Sequence, residues 1–297
     1  MNRQELITLF KKITVWKRAG QRAPHKPLLV LFAIAQLNKN QRFFKYKDIH
    51  DKLKQLLIEF GPTRRNYHPE YPFYRLKNDG IWELKNIEKL VLKKDPNDVS
   101  KQDLIKFNIK GGFKKDIFDT FISNPSIKNQ IVNQILEANF PISIHENILQ
   151  SIGYDLDSID NKKRVRDPNF RDRILTAYEY KCAVCGFDVR IGNTIVALEA
   201  AHIKWHMAGG PDSENNGIAL CTLHHKLFDI GAFTISSNME IQVSDRAYGT
   251  SGFKEWLLNY HGKNITAPQK PTYYPEPNFV SWHVREVFKG ESRYKSY

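Results

Sequence analysis

The chain has 297 residues, with 45 Lys and Arg against 32 Asp and Glu and a net charge of +13. This length suits two domains of ordinary size, and the positive charge favours a polyanionic partner, above all nucleic acid. The sequence has neither an apolar run long enough to span a membrane nor an apolar signal segment at its start, so it indicates a cytoplasmic protein without a membrane partner.

The charge pattern indicates a domain boundary near the middle of the chain. Residues 1–160 carry nine of the thirteen excess positive charges. A polar, acidic stretch follows, and then Asp167-Pro168 begins a predicted helix that runs to Tyr180. Four arginines near this start would suit phosphate contacts or a solvated helix face: Arg164, Arg166, Arg171 and Arg173. We predict two domains, residues 1–155 and 160–297.

The first domain is predicted to be mainly helical with a small β element. The predicted helices are 4–14, 25–35, 46–60 and 146–152. Segment 25–35 is apolar on nearly every face, with Pro27 in its first turn, and is therefore the expected buried centre. The aromatic segments 74–76 and 81–84 flank an Asp79-Gly80 pair, and this pattern predicts a β-hairpin.

All three cysteines of the second domain lie in two short motifs, Cys182-x-x-Cys185 and Cys221-x-x-His224. Paired motifs with this spacing are typical of a structural zinc site with four protein ligands. Buried core thiols are the alternative, but scattered cysteines would be expected in that case. The odd number of cysteines and the absence of a signal segment argue against a disulfide.

The segments around these motifs, 198–203, 216–221 and 225–231, resemble the HNH family of nucleases. The resemblance implies a hairpin–helix motif that clamps one divalent cation, with His202 as general base, Asn216 as the residue that braces the loop, and His225 as a metal ligand. A zinc ion with four protein ligands has no open position for this chemistry. A second ion, Mg²⁺ or Mn²⁺ or a similar metal, is therefore expected.

The sequence departs from this family at one position. Many HNH nucleases have an acidic metal ligand directly before the first His, where this chain has Ala201. Glu199 shares a strand face with Ala201, and Asp229 lies one helical turn after His225, so either would replace that ligand. The alternatives are a structural hydrogen bond for Glu199 and a helix-end cap for Asp229.

A second resemblance covers the first domain. Segments 20–29 and 71–82 resemble the sulfur-binding domain of phosphorothioate-dependent restriction endonucleases. This implies that Tyr71 and Pro72 form an apolar cup for sulfur, and that His25 and Lys26 hold the neighbouring DNA backbone. Family members often have Arg where this chain has Lys26. A guanidinium that can donate two parallel hydrogen bonds is thus replaced by an ammonium that acts as a point charge. Further expected phosphate contacts are Arg22, Arg64, Arg65 and Arg75. An ordinary turn with an aromatic anchor is the alternative for Tyr71-Pro72.

Together these patterns predict an α+β protein with a helical DNA-recognition domain and a ββα-metal nuclease domain. The expected function is a modification-dependent restriction endonuclease that acts on double-stranded, phosphorothioate-modified DNA. Cleavage of both strands by one site per chain suggests a homodimer on DNA. Two alternatives stay open: an HNH nuclease that recognises modified cytosine or an unmodified sequence, and a zinc-containing DNA-binding protein that does not cleave.

Overall fold

The structure is a computed structural model that describes residues 2–13, 20–37, 40–90, 98–155 and 168–293. The chain separates into two compact units, residues 1–160 and 161–297. The predicted domain limits, 1–155 and 160–297, remain a prediction. No helix in the described part of the chain is long and apolar enough to cross a membrane.

The N-terminal unit is mainly helical, with one small antiparallel sheet. Its helices are α1 (Arg3–Lys11), α2 (His25–Gln36), α3 (Tyr46–Phe60), α4 (Glu70–Arg75), α5 (Lys101–Lys106), α6 (Lys115–Ser123), α7 (Pro125–Asn139) and α8 (His145–Ile152). Its strands are β1 (Phe43–Lys45), β2 (Trp82–Lys85) and β3 (Lys110–Phe113), and β3 lies in the centre of the sheet.

Helix α2 is the centre of this unit, as its all-round apolar sequence predicted. Every residue from Pro27 to Ala35 is buried, and the helix packs against α3, α4, α7 and α8. The sheet packs its aromatic residues into the same core, where Trp82 lies edge-on against Phe73 and Phe113. A helix that is apolar on all sides must be buried by packing partners on every face.

The predicted hairpin at Asp79-Gly80 is wrong. Residues 70–75 form α4, and a 3-10 turn over 76–79 ends at Gly80, whose φ is +75°. Strand β2 pairs with β3 instead of with the preceding residues. A Gly in the left-handed conformation ends a helix as readily as it closes a hairpin, so the Asp-Gly pair does not distinguish the two structures. Burial of Phe73 and Tyr74 on α4 outweighs their preference for strands.

The C-terminal unit is built around a β-hairpin and the helix that follows it. Its helices are α9 (Pro168–Ala177), α10 (Thr222–Ile230), α11 (Ser251–Trp256) and α12 (Pro277–Glu286). Its strands are β4 (Arg190–Ile191), β5 (Thr194–Ile195), β6 (Leu198–His202), β7 (Gly217–Cys221), β8 (Phe233–Ile235) and β9 (Ile241–Val243). Strands β6 and β7 pair in antiparallel register, with Leu198 opposite Cys221 and His202 opposite Gly217.

Helix α9 is three residues shorter than predicted, because Glu179 and Tyr180 have φ of +54° and +58°, which a helix does not accommodate. The helix packs against β6 and β7. The close approach of α9 to β7 requires Gly217, because a side chain at this position would collide with Ile174 and press on Phe170. Both are buried in the core of this unit. Gly217 therefore sets the distance between α9 and the hairpin.

We expect Gly217→Ala to lower the free energy of unfolding of this unit by about 1–3 kcal/mol, because an added methyl group overpacks a filled core. Gly252→Ala on α11 is the matched control, since no atom lies near its added methyl group. It should be neutral or stabilising by up to about 1 kcal/mol. Chemical denaturation of both variants measures the difference, and equal stability of the two would contradict close packing at Gly217.

Candidate nuclease site and DNA-binding face

The two cysteine motifs converge on one cluster. Cys182 and Cys185 follow α9, Cys221 ends β7, and His224 lies in the first turn of α10. Their ligand atoms all lie within 4.8 Å of one another. The Cys221 sulfur lies 3.2 Å from Nδ1 of His224 and 4.0 Å from the Cys185 sulfur. Sulfur atoms on a tetrahedral zinc, with bonds of about 2.3 Å, are about 3.8 Å apart. The cluster therefore fits a tetrahedral metal ion.

The electrostatics of this cluster suit a cation. Hydrogen bonds from the thiols of Cys185 and Cys221 lower the pKa of Cys182. Burial acts to lower the pKa of His224, but the neighbouring Cys182 and Cys185 outweigh it and raise the value to about 9. Nε2 of His224 donates to the Trp256 carbonyl at 2.8 Å. That bond directs Nδ1 toward the sulfur atoms, the second-sphere arrangement usual for a metal-binding histidine.

His202, the predicted general base, ends strand β6. Its ring stacks on Phe170 of α9, with centroids 4.1 Å apart and planes 14° apart. Nε2 lies 2.6 Å from Oδ1 of Asp212 in the loop that follows β6. Asp212 could not be predicted from the sequence, because a single acidic residue in an irregular loop has no spacing that marks it. The ring is fixed both on its face and in its plane.

Asn216, predicted to brace the loop, is completely buried directly before β7. Its Oδ1 accepts from the Lys204 backbone N–H at 2.8 Å, and its Nδ2 donates to the carbonyls of Lys204 and Pro211 at 3.0 and 2.8 Å. The amide thus ties together the two ends of the loop between β6 and β7. This geometry supports the role of a brace.

His225 on α10 lies between the two carboxylates that the sequence predicted as replacements for the missing acidic ligand. Its Nδ1 is 2.6 Å from Oε2 of Glu199, and its Nε2 is 3.0 Å from Oδ2 of Asp229. Burial acts to lower the pKa of His225, but Asp229 and Glu199 together raise it to about 9. The two carboxylates differ in their access to solvent: the Glu199 side chain is 44% exposed and the Asp229 side chain only 2%.

Asp229 is held from a second side by Trp205. Its Oδ1 accepts a hydrogen bond of 3.0 Å from Nε1 of Trp205, while Oδ2 faces His225. Both oxygens of this buried carboxylate are thus occupied by protein groups. Glu199 combines contact with His225 and exposure, so it is the carboxylate that a cation could reach.

The N-terminal unit brings His25 close to the segment that carries Tyr71. His25 begins α2, which packs against α4. Its pKa is lowered to about 4, first by burial and then by the charge of Arg64, so the ring is neutral at pH 7. His68 stacks on Tyr71 at 4.9 Å, and the Arg75 guanidinium lies 4.6 Å from the Tyr71 ring centre. Pro72 is buried beside this aromatic group.

Several cations predicted to hold phosphates contact groups of their own unit. Lys26 Nζ lies 2.5 Å from Oδ2 of Asp79, and both side chains are largely buried. Arg22 donates to the Phe60 carbonyl at 3.0 Å, and Arg64 to the Thr63 carbonyl at 3.0 Å. Arg75 pairs with Asp98 at 2.7 Å. Arg65 is exposed.

The basic residues near the start of α9 divide into two groups. Arg164 and Arg166 lie outside the described residues. Arg171 donates to the Leu198 carbonyl at 3.1 Å, and Arg173 donates to the Asp212 carbonyl at 2.7 Å. Within the described part of the chain, these arginines therefore tie α9 to the hairpin and its loop.

The matches to known protein families agree with the division of the chain into two units. The family model for the ScoMcrA-like DNA sulfur-binding domain matches residues 3–157, and the model for the HNH endonuclease family matches residues 182–236. No curated protein matches the chain.

Three solved structures that match parts of the chain have related descriptions. The sulfur-binding domain of ScoMcrA, in complex with phosphorothioated DNA, is 20% identical with a TM-score of 0.44, over 50% of this chain and 94% of that one. The type IV phosphorothioation-dependent restriction endonuclease ScoMcrA is 19% identical with a TM-score of 0.42, over 52% of this chain and 35% of that one. The modification-dependent restriction endonuclease TagI is 21% identical with a TM-score of 0.29, over 44% and 42%.

A ββα hairpin–helix site on one unit and a helical DNA-binding unit on the other define a DNA-cleaving hydrolase with its own recognition domain. The chain belongs to the ScoMcrA-like DNA sulfur-binding domain family and carries an HNH endonuclease domain. The predicted α+β fold class and both predicted family resemblances are confirmed. The Cys/His cluster is confirmed as a group that could hold a metal ion.

Proposed function

We propose that this protein cleaves DNA that carries phosphorothioate linkages, with recognition in the N-terminal unit and hydrolysis in the HNH unit. The observation that carries the proposal is the joining, in one chain, of a sulfur-binding domain to a hairpin–helix site that has His202 at the end of β6, Asn216 before β7 and His225 on α10. The described residues of each chain form one such site, so cleavage of both strands would use two copies on one duplex.

In this proposal the site residues divide the work of hydrolysis. His202 takes a proton from the attacking water, because a neutral imidazole is a suitable base near pH 7. Asn216 holds the loop that keeps His202 in place. His225 through Nδ1 and Glu199 through Oε2 would hold a divalent cation, with phosphate oxygens and water as its other ligands. When bound, that cation supplies charge stabilisation for the pentavalent phosphorus and the leaving oxygen.

Asp229 has a supporting role in the same site. A metal-binding histidine usually donates its other ring N–H to a carboxylate or carbonyl, which fixes the tautomer. Asp229 faces Nε2 of His225 and is held by Trp205. We therefore assign Glu199 as the replacement for the acidic ligand absent at Ala201, and Asp229 as the residue that orients His225.

The recognition step rests on the chemistry of sulfur. Sulfur is more polarisable and less strongly hydrated than oxygen, so apolar contact at Tyr71 and Pro72 gains dispersion energy at little desolvation cost. His68 and Arg75 flank the Tyr71 ring and limit its motion. Nearby cations contribute affinity that does not depend on the modification. Tyr71 and Pro72 should therefore decide selectivity more than total affinity.

We expect the intact protein to bind a short duplex with phosphorothioate more tightly than the same duplex with ordinary phosphate. Tyr71→Ala should abolish this preference, while the slope of affinity against salt concentration stays the same, because no phosphate contact is lost. Fluorescence anisotropy at several salt concentrations measures both quantities.

The matched control for the binding assay is Phe43→Ala. Phe43 is also half-buried and also lies under cations, Arg42 at 4.7 Å and Lys85 at 4.1 Å, but it belongs to β1. This variant should keep the preference. Equal affinity of the unaltered protein for both duplexes would exclude sulfur recognition and direct the search to modified cytosine.

We expect His202→Ala to lower the single-turnover rate of DNA nicking by at least about a hundredfold, because general-base catalysis contributes that much. Binding should stay within about twofold of the unaltered protein. His206→Ala is the control, since this exposed histidine lies on the loop that follows β6, with its ring centre 6.0 Å from that of His202. A His202→Ala variant that nicks as fast as the His206→Ala variant would contradict the assignment.

We also propose that the Cys/His cluster holds a structural zinc ion. The protein as isolated should then contain about one zinc per chain, and Cys185→Ser should lose it together with thermal stability of the C-terminal unit. After chelation, added Zn²⁺ should restore the melting temperature and added Mg²⁺ should not. Protein that is isolated without zinc, and whose melting temperature does not respond to it, would refute this site.

A further inference from the structure

The loop between β6 and β7 places a carboxylate against the proposed general base. Oδ1 of Asp212 lies 2.6 Å from Nε2 of His202, and the two side chains are 33% and 14% exposed. Phe170 covers one face of the His202 ring. A carboxylate that contacts a histidine in its ring plane selects which nitrogen carries the hydrogen.

The backbone of this loop is held by groups other than the Asp212 carboxylate. Asn216 Nδ2 donates to the Pro211 carbonyl at 2.8 Å. Arg173 donates to the Asp212 carbonyl at 2.7 Å and pairs with Glu214 at 3.0 Å. Loss of the Asp212 carboxylate should therefore leave the loop in place, so its contact with His202 is available for a role in the reaction.

We propose that Asp212 is a positioning residue that accepts the Nε2 hydrogen of His202 and so presents Nδ1 as the atom that takes the proton from water. This inference rests on the proposed nuclease function. A neutral imidazole has a hydrogen on only one of its two nitrogens. If Nε2 carries it and donates to Asp212, Nδ1 has the free lone pair. As the water oxygen bonds to phosphorus, its proton passes to Nδ1, and the bond from phosphorus to the leaving oxygen breaks with its electron pair on that oxygen.

The carboxylate also acts on the product of that proton transfer. His202 becomes positively charged, and the negative charge of Asp212 stabilises it in a partly buried setting. Other charged or titratable groups near His202 and Asp212 include His206 on the loop that follows β6, Arg173 on α9, and Glu214 before β7. Of these carboxylates, Asp212 bonds to the ring, while Glu214 pairs with Arg173.

The test compares Asp212→Asn with Glu214→Gln in the full chain. Both changes remove one negative charge from the same loop, but only the first removes the carboxylate that contacts His202. Single-turnover nicking of a phosphorothioate duplex would be measured from pH 5.5 to pH 9 with Mg²⁺ or Mn²⁺, together with DNA affinity and melting temperature.

Asp212→Asn should nick about tenfold to a hundredfold more slowly at neutral pH, the lower end of what general acid–base catalysis contributes. Its affinity for DNA should be unchanged. The acidic limb of its pH–rate profile should move to lower pH, because loss of a neighbouring anion lowers the pKa of an imidazole. Glu214→Gln should match the unaltered protein within about twofold in rate and in the position of that limb.

Two results would overturn the inference. In the first, Asp212→Asn keeps both the rate and the pH limb. In the second, both variants lose rate and melting temperature equally with no movement of the limb, which indicates a structural role only. Failure of the proposed function is a separate result, because the unaltered protein and Glu214→Gln would then both leave DNA uncut at every pH.

Discussion

The buried amide of Asn216 is the interaction on which the nuclease site depends. From the end of the loop between β6 and β7, its three hydrogen bonds satisfy backbone groups of Lys204 at the start of that loop and of Pro211 in its middle. An unsatisfied buried backbone group costs about 1–3 kcal/mol, so no apolar residue of similar size could hold this loop. The same loop carries Asp212 and Trp205, which contact His202 and Asp229. The Asn216 amide thus helps to position Asp212 beside His202, and Trp205 beside the Asp229 that faces His225.

Two adjacent histidines on α10 serve two different sites because of helix geometry. Successive residues on a helix point about 100° apart, so His224 faces the cysteines while His225 faces Glu199 and Asp229. The structural cluster therefore fixes the first turn of the helix that carries the proposed cation ligand. Loss of the cluster would therefore disturb the reaction site through this turn of α10.

The sequence predicted those parts of the site that have a fixed spacing. Paired Cys/His motifs mark the cluster, and strand alternation places Glu199 on the face of Ala201, so both could be read directly. Asp212 could not, since its contact with His202 depends on the path of an irregular loop. The prediction of a hairpin at Asp79-Gly80 was wrong for a related reason, because tertiary burial of the aromatic residues on α4 outweighed a local turn signal. Local patterns locate ligands better than they locate the groups that orient those ligands.

The N-terminal unit carries most of the net positive charge, yet two of the cations predicted to contact DNA are paired internally. Lys26 lies against Asp79 and Arg75 against Asp98, so part of their charge is neutralised before any DNA arrives. Replacement of one oxygen by sulfur changes few contacts, and a tenfold preference corresponds to only about 1.4 kcal/mol. Such a small difference is useful only when background attraction to ordinary DNA is weak, because ordinary sites vastly outnumber modified ones. Internal pairing of Lys26 and Arg75 would lower that background and leave selectivity to the contact at Tyr71.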